Sequence, residues 1–249
     1  MKSNTPGAVL IALAATATLF AMPAQATLLG RDINGQAVAN ASAVFLYDTT
    51  LNITWLRDAN VNGRTDWNSA VAWAADYSIG SYSDWRLPTM VDTGTSGCNF
   101  SNAGGTDCGY NVQTTSGSTV YSEMASLWFD TLGNKSFCDP ATSTTSSCVG
   151  PQAGWGLVNT GDFQDFKWSG YWSDLAYAPD AGFAWLFGAG LGDQVNYKTS
   201  GLFYALAVRR GDVLSSAHVP EPGTLWLAAL ALAGIGLIGR RRTTMGVTP

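Results

Sequence analysis

Two apolar stretches, residues 8–20 and 225–238, bracket a body in which apolar positions come in short patterned bursts. Residues 44–47 and 53–56 are apolar runs, and Asp48-Thr49-Thr50-Leu51-Asn52 between them has turn chemistry, which predicts a β-hairpin. Across residues 66–77, Trp67, Ala70, Val71 and Ala74 recur at i, i+3, i+4 and i+7. That spacing makes one helical face apolar, and Thr65 or Asp66 can cap it. Pro88 then biases Leu87 toward an extended backbone. After a polar stretch at 94–121, a second short helix is expected over 122–133. Ser122 is its cap, Met124, Leu127 and Trp128 its stripe, and Gly133 its stop. Strands are expected at 155–158, 170–176, 182–187 and 202–208, with Ala181, Phe183, Trp185 and Phe187 alternating with smaller residues. A hairpin, two helices and then several strands is an α+β order.

The ends read as targeting signals. Lys2, the 13 apolar residues 8–20, helix-breaking Pro23 and the small-x-small site Ala24-Gln25-Ala26 make a secretory signal peptide cleaved before Thr27. Thirteen apolar residues are short for a bilayer of ~30 Å at 1.5 Å per residue. The expected organisation is a signal peptide at 1–26, one extracytoplasmic domain at 27–214, a linker at 215–223, and a hydrophobic helix with an arginine cluster at 224–242. No internal repeat is evident.

Charge narrows the partners. Only 12% of residues are charged, and the net charge is −5. Setting aside Lys2, Glu221, Arg240, Arg241 and Arg242, the body carries 17 acids and 9 bases. Such an acidic body argues against nucleic acid and anionic membrane surfaces. Ten tryptophans supply either core area or flat faces for a ligand.

The C-terminal order of Pro220-Glu221-Pro222, apolar helix and Arg240-Arg241-Arg242 resembles the PEP-CTERM sorting signal of Gram-negative bacteria. That resemblance implies an inner-membrane exosortase as partner, a transient membrane anchor, and then release to the cell surface or matrix. It also implies an association with exopolysaccharide and biofilm.

A second resemblance covers roughly residues 44–213. Asp48-Thr49-Thr50-Leu51-Asn52-Ile53-Thr54-Trp55-Leu56, Tyr82-Ser83-Asp84-Trp85-Arg86-Leu87-Pro88-Thr89, Gly170-Tyr171-Trp172-Ser173 and Tyr204-Ala205-Leu206-Ala207-Val208-Arg209 look like the DUF1566 family, also called the Lcl C-terminal domain. The resemblance implies a C-type-lectin-like fold: paired N- and C-terminal strands, and two helices flanking a mostly antiparallel sheet with long loops. It also implies adhesion or glycan binding.

Candidate chemistry is sparse. Cys98, Cys108, Cys138 and Cys148 lack zinc spacing, and export puts them in an oxidising compartment. Of three pairings, Cys98–Cys108 and Cys138–Cys148 is the parsimonious one, each closing one short loop. The only histidine is His218, in the linker, and the body's one glutamate is Glu123, so no catalytic triad can be assembled. The chain reads as a non-enzyme. Asp58, Asn60, Asn62 and Asp66, with Gly63, begin like a calcium loop, although Ser69 stands where a bidentate Glu belongs. The alternative is an Asx-rich turn leading into the helix at Trp67. Trp168 and Tyr177, set among polar residues, are the candidate ligand-facing aromatics. The leading expectation is an exported glycan-binding protein whose partner is an exopolysaccharide. The alternatives are a structural or protein-interaction module, and a hydrolase.

Overall fold

The computed structural model describes residues 27–94, 107–144 and 147–214. The signal segment with Ala24 and Ala26, Cys98, and the tail from residue 215, with Pro220, Glu221, Pro222, Arg240, Arg241 and Arg242, lie outside them.

The first sheet begins with β1 (Leu28–Arg31), β2 (Phe45–Asp48) and β3 (Ile53–Leu56). The β2–β3 hairpin forms because Asp48 Oδ1 accepts from the amides of Thr50 and Leu51, while Asn52 adopts a left-handed φ of 52°. Helix α1 (Trp67–Asp76) follows, capped by Asp66, whose carboxylate accepts from the Ser69 amide at 3.1 Å. Its buried positions are Ala70 and Ala74.

Short pairs come next: β4 (Gly109–Tyr110), β5 (Thr115–Ser116) and β6 (Thr119–Val120). Helix α2 (Glu123–Ala125), capped by Ser122, runs directly into a wider π turn at Ser126–Thr131. The widening shows in the Leu132 amide donating to the Leu127 carbonyl, five residues back. Leu127 and Trp128 are both fully enclosed.

The chain then builds β7 (Gly170–Ala176), β8 (Phe183–Gly188), β9 (Asp193–Lys198) and β10 (Val208–Arg210). Two antiparallel four-stranded sheets result, ordered β1-β2-β3-β10 and β4-β9-β8-β7, with β5-β6 as a separate ribbon. The fold is mostly sheet with few helices. The main core joins both sheets: Phe45, Trp55 and Val208 from the first meet Trp128, Tyr171 and Phe187.

Three expectations need correction. Residues 155–158 form no strand, because Gly154 and Gly156 both take positive φ and the segment only bridges Lys135. Most of 202–208 is also irregular: Phe203 bridges Thr65 and Tyr204 bridges Tyr171, so the run crosses between two sets of partners before pairing as β10. Finally, β1 and β10 share a sheet without pairing, since β1 pairs with β2 and β10 with β3. Their ends are joined by side chains, with Arg31 Nε and Nη2 donating to Asp212 at 2.9 and 2.6 Å.

Cys138 and Cys148 form a disulfide. Cys108 is also disulfide-bonded. Among the described residues, no helix is long and apolar enough to cross a membrane.

Candidate functional site

The antiparallel register of the second sheet creates an open groove. Leu186 and Gly188 of β8 stand opposite Val195 and Asp193 of β9, and Gly170 of β7 stands opposite Gly188. Alternation along a strand puts these residues on one face. Helix α1 covers one end of that face, where Ala70 and Ala74 pack on Trp172 and Ala184. The other end stays open as a depression of about 360 Å³, walled by Trp168, Leu191, Tyr197 and Phe203.

Two aromatic side chains form its rims. Trp168 is 55% exposed and Tyr197 49% exposed. Neither ring hangs free. The Trp168 indole lies across Gly156 and Gly190, where a Cβ at either position would overlap the ring. Trp155 meets its edge at 5.3 Å in a T-shaped contact. Tyr197 is braced in the same way by Phe203, at 5.0 Å, and lies against Gly201. Glycines are therefore required here for closeness of approach. Exposed aromatic rings held rigid by packing are suited to receiving an apolar ligand face without losing much conformational entropy.

Asp193 lines the same groove and is only 8% exposed. Gly188 makes room for its carboxylate, since a Cβ there would collide with Oδ1. Burial pushes the Asp193 carboxyl up to about 6, and the hydrogen bond from its own amide only partly opposes this. Among the described residues, no other group donates a hydrogen bond to it. Across the ladder on β4, burial and then the charge of Asp193 raise the Tyr110 phenol.

A second depression of similar size holds Asn52, Arg86, Thr89, Glu123, Asp174 and Arg210. Two of its charges are spent on each other. Arg86 Nη1 and Nη2 donate to the two Glu123 oxygens, each at 2.7 Å, and the Thr89 amide donates to Glu123 at 2.8 Å. Desolvation works against the Arg86 cation, yet Glu123 more than compensates and holds its pKa above the ordinary value. Asp174 is raised by burial, with the Thr89 hydroxyl and Arg86 opposing. Three of the roughly four lone-pair positions on the Glu123 carboxylate are thus taken.

Of the aromatic candidates, Trp168 stands in the groove. Tyr177 is a correction: it is 8% exposed and packs edge-on against buried Trp185 at 5.2 Å. The polar residues around it in sequence lie in the turn after β7, while the ring itself points into the small core of Met90, Cys108 and Trp185. In the calcium-like loop, Asn60 Oδ1 is buried with no hydrogen-bond partner, while the two carboxylates serve the local backbone. Asp58 Oδ1 accepts from the Asn60 amide at 2.9 Å, and Asp66 caps α1 through the Ser69 amide and hydroxyl. Hydrogen bonds from Ser69, its hydroxyl first, lower the Asp66 carboxyl. Both carboxylates thus close their own turns, as in the Asx-turn alternative. Among the described residues, no cluster of three or more His, Cys, Asp or Glu side chains could hold a metal ion. The sequence reasoning missed Tyr197 and Asp193. Their signal was the alternation Asp193-Gln194-Val195-Asn196-Tyr197 after Gly190-Leu191-Gly192.

Outside these described elements, residues 218–242 match the PEP-CTERM protein-sorting motif. The motif implies an exported protein, held transiently at the membrane by its C-terminal signal and processed by an exosortase. Comparison with characterised proteins and with solved structures returns no match.

Proposed function

We propose that this exported protein is a non-enzymatic cell-surface or matrix component whose domain, C-type-lectin-like and related to DUF1566, binds a glycan of the exopolysaccharide. The observation that carries the glycan reading is the groove between two exposed, braced aromatic rings with a buried carboxylate on its lining. Sugars present apolar C–H faces and polar hydroxyl edges, and this groove offers partners for both.

The family resemblance draws support from where its two sharpest motifs meet. Arg86 and Val208 exchange backbone hydrogen bonds, each 2.8 Å long. Next to them, Asp84, at a left-handed φ of 65°, accepts from Arg209 at 3.0 Å. The two motifs, over a hundred residues apart in sequence, form one structural unit.

Replacing Trp168 by alanine tests the binding reading. Removing a central aromatic anchor typically costs ~2 kcal/mol or more of binding, roughly a 30-fold weakening. The exposed ring should leave folding intact by circular dichroism. Pull-down with the host's exopolysaccharide, and calorimetry with fragments of it, should show wild-type binding and its loss in Trp168→Ala. If folded wild type binds no glycan, the domain is a structural or protein-interaction module instead.

Processing has its own check. Intact-mass analysis of extracellular protein should give a product near residues 27–221. A full-length mass would contradict both cleavages.

A further inference from the structure

Asp193 is thinly partnered among the described acids, while Asp48 and Asp174 each keep one buried oxygen without a partner. Asp48, Asp66 and Asp92 each accept hydrogen bonds from backbone amides, and Asp84, Asp165 and Asp212 pair with arginine or lysine. Asp193 takes a hydrogen bond only from its own amide and pairs with no arginine or lysine among the described residues, although it is more than nine-tenths buried. A carboxylate removed from water with only one such donor is costly to keep charged. A ligand that brings donors removes that cost at the moment of binding.

The groove restricts what those donors can be. Asp193 is the one charged side chain on its lining, so no cation is present to receive a carboxylated or sulfated sugar. The body around it carries 17 acids against 9 bases, which opposes polyanions at longer range as well. The rest of the lining is Trp, Tyr, Phe, Leu, Val, Gly and one Ser. That composition suits the C–H face of a ring, with a hydroxyl edge turned toward the acid.

Resting on the glycan reading above, we infer that the groove selects an uncharged pyranose, stacked on Trp168, with its hydroxyls donating to the Asp193 carboxylate. Asp193 is then the specificity-determining residue of the site. Hydroxyl donation to a carboxylate is stronger than to a neutral acceptor. Binding therefore favours the ionised form, and affinity should be level above pH ~7 and fall as the free protein's carboxyl protonates near 6. From the strands packed on β9, the facing groups are Gly188 on β8 and Tyr110 on β4. A phenol with a raised pKa stays neutral across this range.

The experiment uses the secreted, processed protein and three probe sets of equal length: neutral hexose oligosaccharides, oligogalacturonates and oligoglucosamines. Calorimetry at pH 7.5 and pH 5 is run on wild type and Asp193→Asn. Wild type should bind a neutral probe at pH 7.5 and lose roughly tenfold at pH 5. Asp193→Asn should bind that probe roughly tenfold more weakly at pH 7.5 and show no pH dependence, with a melting temperature no lower than wild type's. Tightest binding of the uronate or the amine probe overturns the selection of uncharged sugars. Unchanged affinity in Asp193→Asn overturns the role of Asp193 while leaving glycan binding standing. No binding by wild type to any probe, or to the host polysaccharide, removes the glycan reading itself.

Discussion

Trp85→Ala is expected to cost ~3–5 kcal/mol, the range for emptying a buried tryptophan site. Trp85 is 3% exposed. Its indole packs at 5.6 Å on Phe45 and at 6.2 Å on Tyr77, and its Nε1 donates to the Tyr82 carbonyl at 3.3 Å. The ring thus ties the segment after α1 to strand β2. A domain holds only ~5–15 kcal/mol in total, so secreted yield should fall sharply. Thermal unfolding should drop by roughly 10 °C at this chain length. A variant that is secreted normally and melts within a few degrees of wild type would show that the cavity collapses without loss, contrary to this account.

Arg86→Met should be comparably severe, at ~3–5 kcal/mol, because it strands the buried Glu123 carboxylate. Asp174 loses a favourable neighbour in the same variant, so its carboxyl, already raised by burial, moves further up. A folded-state pKa above the unfolded value confers stability that is present in full at low pH and lost as pH rises through the folded pKa. The deficit of Arg86→Met should therefore shrink as pH falls from 7 toward 4. The double variant Arg86→Met with Glu123→Gln removes both charges and keeps an acceptor for the Thr89 amide. Denaturant titration should find it more stable than Arg86→Met alone. Equal stability of the two would mean that an uncompensated Glu123 is not the source of the loss.

Local patterns were legible where the local chain decides the structure. The Asp48–Asn52 turn and the Asp66 and Ser122 caps satisfy nearby amides, so their signal sits within four residues. The Cys138–Cys148 loop is also local, its ends ten residues apart. Arg86 could be expected to find a carboxylate, but not which one: Glu123 is 37 residues away in sequence. Residues 155–158 failed for a physical reason, since glycines at positive φ cannot sustain a ladder, whatever apolar residues flank them. The candidate site was half legible. Trp168 was visible as an aromatic among polar neighbours, and the same criterion misplaced Tyr177, whose ring turns inward. Asp193 and Tyr197 gain their meaning only from the register that puts Gly188 and Leu186 beside them, and register is a long-range property.

The Arg31–Asp212 ion pair has a mechanical consequence. Asp212 lies just ahead of the linker that leads to the sorting motif, so tension on the C-terminal side enters the domain there. It first loads this charged clasp and then the short β10–β3 ladder, both in the first sheet. The groove belongs to the other sheet, whose strands β7, β8 and β9 are bonded to one another and not to β10. Strain from a tether would be taken up first in the first sheet, at a contact that salt weakens.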